Sequence, residues 1–169
     1  MIGRLLVLGA FLVGAAAFFL PFFNVNATIA VDGEMKVEPI SLSVMQIFQG
    51  ASALENLSGG VEIPEAQRDQ INTTLAQIRG VLMIPFAPTV LFLIILLAGI
   101  RRFGRAHGVF ALIVGLIAVA GWGLISAAAA NSTSEAASFG IGLTMVLVGG
   151  ILGSIGGIAG IAKPEPKKA

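Results

Sequence analysis

The chain has 169 residues, 56% of them apolar and only 11% charged, at a mean hydropathy of +0.95. A water-soluble domain carries about 25% charged residues, so an ordinary solvated surface is excluded and the composition points to an integral membrane protein. The absence of cysteine excludes disulfides, thiolate nucleophiles, iron–sulfur clusters and zinc–thiolate sites, and a net charge of +1 excludes a strongly basic nucleic-acid surface.

A spanning helix needs about 20 apolar residues to cross roughly 30 Å of hydrocarbon. Residues 5–23, 81–100, 108–130 and 139–162 meet that length without one Asp, Glu, Lys or Arg. They predict an all-α membrane protein, a four-transmembrane-helix antiparallel bundle. The chain then divides into a first span (1–23), an extracytoplasmic cap (24–80), a second span (81–100) and a basic cytoplasmic loop (101–107). A third span (108–130), a short outer loop (131–138), a glycine-rich fourth span (139–162) and a cytoplasmic tail (163–169) complete it. Arg4 and the small-residue stretch Val25-Asn26-Ala27 also fit a signal peptide. The apolar run between them exceeds the usual h-region of about 7–15 residues, so it is expected to stay as an anchor.

Basic residues set the orientation. Arg4, Arg101, Arg102, Arg105, Lys163, Lys167 and Lys168 fall on one side, against Glu165 alone. The other side carries Lys36, Arg68 and Arg79 against Asp32, Glu34, Glu38, Glu55, Glu62, Glu65, Asp69 and Glu135. Both termini are therefore expected in the cytoplasm, with Arg101, Arg102 and Arg105 as the topology-determining group and residues 24–80 outside.

The cap segment is patterned. Residues 28–38 read as a β-hairpin around Asp32-Gly33, a strong turn signal. A three-residue loop, Asp32 to Glu34, pairs Val31 with Met35 and Ile29 with Val37 on one apolar face; a two-residue loop opposes Val31 to Glu34, so the longer loop is expected. Ile40, Val44, Ile47, Phe48, Ala51 and Leu54 then recur at helical spacing, with Ser41 or Ser43 as cap and Ser58-Gly59-Gly60 as terminator. A second amphipathic helix starts near Pro64 with the stripe Ile71, Leu75, Ile78 and Leu82. These two helices are expected to cover the hairpin and close the bundle, and Ile47, Phe48, Ile71 and Leu75 are the candidate outer contact surface. Asn26, Asn56, Asn72 and Asn131 each begin an Asn-X-Ser/Thr triplet, expected to be incidental in loops rich in these residues.

The spans carry no ionisable group, and their only hydroxyls are Thr89, Ser126, Thr144 and Ser154, so neither a proton relay nor a charged midplane site is expected. Glycine is the specific feature. In the fourth span Gly142, Gly149 and Gly156 repeat every seven residues, as do Gly153 and Gly160, and Gly153/Gly157 forms a further small-xxx-small pair. Gly142, Gly149, Gly153, Gly156, Gly157 and Gly160 thus form a candidate helix-packing or oligomer interface, where small residues let helix backbones approach. Ala10/Gly14 in the first span and Gly108, Ala111, Gly115 and Ala118 in the third offer matching small faces, whereas the second is bulky from Leu91 to Leu97 and is expected to face lipid or a partner. Trp122 reads as a packing or interfacial anchor, His107 as a solvated helix-end residue, and Glu65 with Asp69 as a wet helix face.

The order of parts is span, outer strands, outer helix, three further spans and a short second outer loop. As topology this resembles the claudin and peripheral-myelin-protein tetraspans over the whole chain. The Gly-Leu-Trp and paired cysteines of the claudin outer loop are absent, Trp122 lying in a span, so no residue is carried over.

The expectation is a non-enzymatic membrane protein with no metal or other cofactor and no nucleic-acid partner. It would act through contacts in the lipid bilayer, as an accessory or structural subunit of a membrane complex or with copies of itself. The alternative is a channel or carrier for an uncharged or apolar solute.

Overall fold

The computed structural model describes residues 1–31, 34–50, 65–130 and 137–166. Its elements are α1 (Ile2–Ala17), β1 (Pro21–Val31), β2 (Glu34–Ser43), α2 (Val44–Gln49), α3 (Glu65–Ala98), α4 (Arg105–Ala130), β3 (Ala137–Phe139) and α5 (Ile141–Ala162). The chain is mostly helical with a small three-stranded sheet. Two helical stretches, Arg105–Ala127 and Ile141–Ala162, are long and apolar enough to cross a membrane, while Ile2–Ala17 and Met83–Ala98 are shorter apolar helices.

The first apolar stretch stops being helical well before Phe23. Its 16-residue helix rises about 24 Å, and from Pro21 the chain runs as strand. Pro21 has no N–H to give a helix and biases Leu20 towards extended backbone, and the phenylalanines on either side favour strand. The opposite change occurs in α3. The second cap helix and the second apolar stretch are one 34-residue helix that runs through Pro85 and Pro88. Its apolar part is also not uniformly outward: Phe92 and Ile95 are buried while Leu91, Leu93, Ile94 and Leu97 are exposed.

The strand order is β2-β1-β3. In the β1–β2 ladder Val31 lies opposite Glu34 and Ala30 opposite Met35, the register of a two-residue connection rather than the three-residue loop expected above. The base of the hairpin decides this. The observed register sets Phe23 opposite Leu42 and Val25 opposite Ile40, whereas a one-residue slip would set those two against Ser43 and Ser41. Asp32 and Gly33 themselves lie outside the described residues, as do Asn56, Ser58, Gly59, Gly60 and Asn131 of the sequence reading. The third strand, unanticipated by the sequence, pairs Phe23 with Phe139 and Val25 with Ala137.

Ile40 belongs to β2, so the first cap helix starts only at Val44. Ser43 is its N-cap: the hydroxyl accepts from Gln46 N–H, and the Gln46 side chain accepts from Ser43 N–H, a reciprocal capping box. The helix ends at Gly50, whose φ of +77° is a backbone region that side-chain-bearing residues rarely adopt. It therefore ends well short of Ser58-Gly59-Gly60.

Two buried clusters organise the interior. One, at the sheet end, joins Ala17, Phe22, Val44, Ile47, Phe86, Leu143 and Val146, with Trp122 packed against it. The other, towards the arginine-rich end, joins Val7, Ala10, Phe92, Ile95, Phe103, Ala111 and Val114. Helix α5 touches both flanking helices most extensively, lying between α1 and α4.

Candidate functional site

The glycines of α5 lie between α1 and α4, and their spacing sorts them by partner. Gly142, Gly149 and Gly156 face α1 and the turn after it. A Cβ on Gly156 would stand 3.0 Å from the Gly3 carbonyl oxygen, one on Gly149 3.2 Å from that of Ala10, and one on Gly142 3.1 Å from that of Ala17. The opposing side of α1 is its buried row Gly3, Val7, Ala10, Gly14 and Ala17. One step round the helix, Gly150 and Gly157 face α4: a Cβ on Gly157 would lie 2.5 Å from the Leu112 nitrogen and 2.7 Å from the Gly108 oxygen. The third set, Gly153 and Gly160, makes room for side chains instead, the ring of Phe92 from α3 and the ring of Phe103 from the α3–α4 connection.

Each set repeats every seven residues, so each forms a stripe along one side of the helix. The repeats are visible in the sequence, and the fold gives each stripe its own partner. All seven glycines are buried, and every contact described for them is within the chain. The physical basis is backbone approach: where the surroundings are as apolar as the side chains, dispersion between closely fitted surfaces holds helices together. The fourth side of α5 is different. Ile141, Val148, Ile151, Ile155 and Ile158 are exposed there, from 39% at Val148 to 57% at Ile158.

The remaining candidates separate. Arg101, Arg102 and Arg105 are exposed at one end, and Arg102 Nε donates to the Glu165 carbonyl at 3.1 Å. Ile47 is only 3% exposed, so it belongs to the sheet-end core rather than to a surface, and Phe48 is half-buried against that core. The cause is Arg79 on α3, whose Nε donates to the Ile47 carbonyl at 3.1 Å and whose guanidinium lies 5.9 Å from the Phe48 ring centroid, drawing α2 onto α3. Ile71 and Leu75 lie on α3, with side chains outside the described residues. In the sequence Arg79 is legible only as a charge.

Glu165 is the other residue whose role was hidden. Its carboxylate accepts from Phe103 N–H at 3.1 Å and lies 3.5 Å from the Met1 ammonium, while its own N–H donates to the Phe103 carbonyl at 3.1 Å. The Phe103 N–H is the main reason its pKa is held below the ordinary glutamate value, with the ammonium and Arg4 adding to it and burial opposing. One side chain thus ties both ends of the chain to the α3–α4 connection. Nothing in its local sequence distinguishes a lone acid in a tail from such a tie.

His107 is partly buried rather than solvated. Its ring lies 5.7 Å from that of Phe103, and its Nδ1 is buried with no hydrogen-bond partner among the described residues. Among the described residues no group of three or more His, Asp or Glu side chains is placed to hold a metal ion. A scan against protein-family models and a search of curated proteins give no match for this chain.

Proposed function

We propose that the chain is a four-span integral membrane protein that works by contact rather than by catalysis, as an accessory subunit or an assembly of its own copies. In this reading α1 and the apolar part of α3 complete the set begun by α4 and α5, both termini lie on the cytoplasmic side with the arginines, and the sheet caps the outer end. An inverted surface supports the membrane part. Leu5, Leu12, Ile84, Ile94, Phe110, Leu116, Ile117 and Leu124 are all exposed, whereas the buried positions of α1 and α5 are largely Gly and Ala. Water would not tolerate that arrangement over so large an area, and hydrocarbon favours it.

The observation that carries the contact part is the outward side of α5. Three sides of this helix are committed to α1, α4 and two phenyl rings; the fourth presents Val148, Ile151, Ile155 and Ile158 in a row of stiff β-branched side chains. Such residues lose little rotamer freedom when another helix packs on them.

The test is the native mass of the tagged protein, extracted from its own membrane in a mild detergent. A discrete complex larger than one 17.3 kDa chain is expected, and Ile155→Trp should reduce it to a single chain without changing helix content. A monomer of intact helicity in the unsubstituted protein would overturn the contact reading. So would a complex indifferent to substitutions at Ile151 and Ile155.

A further inference from the structure

Helices α1 and α3 meet only over part of their length. At Gly14 they are in contact through Thr89, which occupies the space a Cβ would need. From there towards the arginine end a cavity of about 460 Å³ opens between them. Its walls are apolar: Leu5, Leu8 and Phe11 on one side, Leu93, Leu96 and Leu97 on the other. Its mouth is charged. Arg4 reaches across it to donate from Nη1 to the Ile100 carbonyl at 3.2 Å, and the Met1 ammonium and Glu165 carboxylate lie beside it. Two cations against one carboxylate leave the mouth positive, and exposed Arg101 follows directly after Ile100.

We infer that this groove holds one acyl chain of an anionic phospholipid, with the lipid phosphate at Arg4. The inference rests on the membrane reading above. Two features of the groove select that occupant. Its length suits a lipid chain: the ten steps from Met1 to Phe11 rise about 15 Å, the hydrocarbon depth of one leaflet of a bilayer roughly 30 Å thick. Its polarity is graded in the sense a lipid requires, apolar inside and cationic at the end where the headgroup would lie. Arg4 spends one of its five N–H donors on Ile100, and the guanidinium fork suits phosphate oxygens. Glu165 does not defeat this, since its charge is already engaged by the Phe103 N–H and the terminal ammonium.

The experiment is native mass spectrometry of the detergent-purified full chain. Phosphatidylglycerol, phosphatidylcholine or inorganic phosphate is added in turn. One phosphatidylglycerol per chain should be retained, in preference to phosphatidylcholine. Arg4→Gln should lower its retention about fivefold, the factor that corresponds to roughly 1 kcal/mol for a cation at a membrane surface. Leu8→Trp fills the groove from a position that is 41% exposed and should abolish retention with helix content unchanged. Equal retention of the two lipids, retention undiminished by both substitutions, or capture of inorganic phosphate in place of lipid would overturn the inference. A parallel alkaline wash of membranes separates this from failure of the membrane reading. Release of the unsubstituted chain into the wash would defeat that reading and this inference with it, whereas a chain that stays in the pellet but retains no lipid defeats the inference alone.

Discussion

Helices α5 and α3 sit in one fold and use opposite means. Helix α5 contributes absence: its glycines remove side chains so that the backbones of α1 and α4 can close on it. Helix α3 contributes presence, driving Phe86 into the sheet-end cluster and Phe92 and Ile95 into the other. It makes fewer contacts with α1 and α4 than α5 does, and it leaves a groove beside α1. The difference shows where tolerance lies. A backbone-to-backbone fit has no soft component, whereas a fit made by side chains can repack.

The sharpest way to break the comparison is on α5. Gly157→Leu places carbon against the Leu112 nitrogen and the Gly108 oxygen, neither of which can rotate away, so little or no folded protein is expected after detergent extraction. Gly123→Leu on α4 is the control, because nothing among the described residues lies within 4 Å of the Cβ it adds, and its folded yield should match the unsubstituted chain. On α3 the expected loss is smaller. Phe92→Ala leaves a void above Gly153 and should cost about 3–5 kcal/mol in reversible unfolding followed by helix content. Because that fit is made by a side chain, Phe92→Ala combined with Gly153→Leu should recover part of the loss. No recovery would show that the Phe92 ring and Gly153 do not share one space.

The smallest effect belongs to Glu165, which lies beyond both helices. Its pKa is lowered in the folded chain, so its charged form stabilises the fold at pH values above the ordinary 4.5, and that contribution is lost as the pH falls below 4.5 through the lowered value. Glu165→Gln should therefore unfold more easily at pH 7, by about 1.5 kcal/mol, the lower range for a hydrogen bond to a charged group. The variant and parent should converge in acid. A constant gap across the pH range would mean that the charge contributes nothing.

What was legible in the sequence follows from how far each signal reaches. Long apolar runs and a seven-residue glycine repeat are visible along one helix, and the helices α4 and α5 and the close packing of the glycines correspond to them. The early end of α1 had a local signal in Pro21, outweighed by counting apolar residues through it. The hairpin register was settled by Phe23, Val25, Ile40 and Leu42, more than six residues from the turn where the reading looked for it. Strand β3, the Arg79 tie to Ile47 and the Glu165 tie to Phe103 join residues 32 to more than 100 positions apart, and no periodicity encodes such pairings.

The central position of α5 also bears on how the protein is made. Gly3 and Gly156 meet, yet about 150 residues separate them. At a synthesis rate of 5–20 residues per second, α1 waits roughly 8–30 s for the surface it packs against. During that interval its small-residue stripe, and that of α4 for a shorter time, have no partner within the chain. The nascent protein therefore passes through a stage in which its earlier helices are open to other nascent or resident helices. The arrival of the last helix is the step that completes the packing on which the other helices depend.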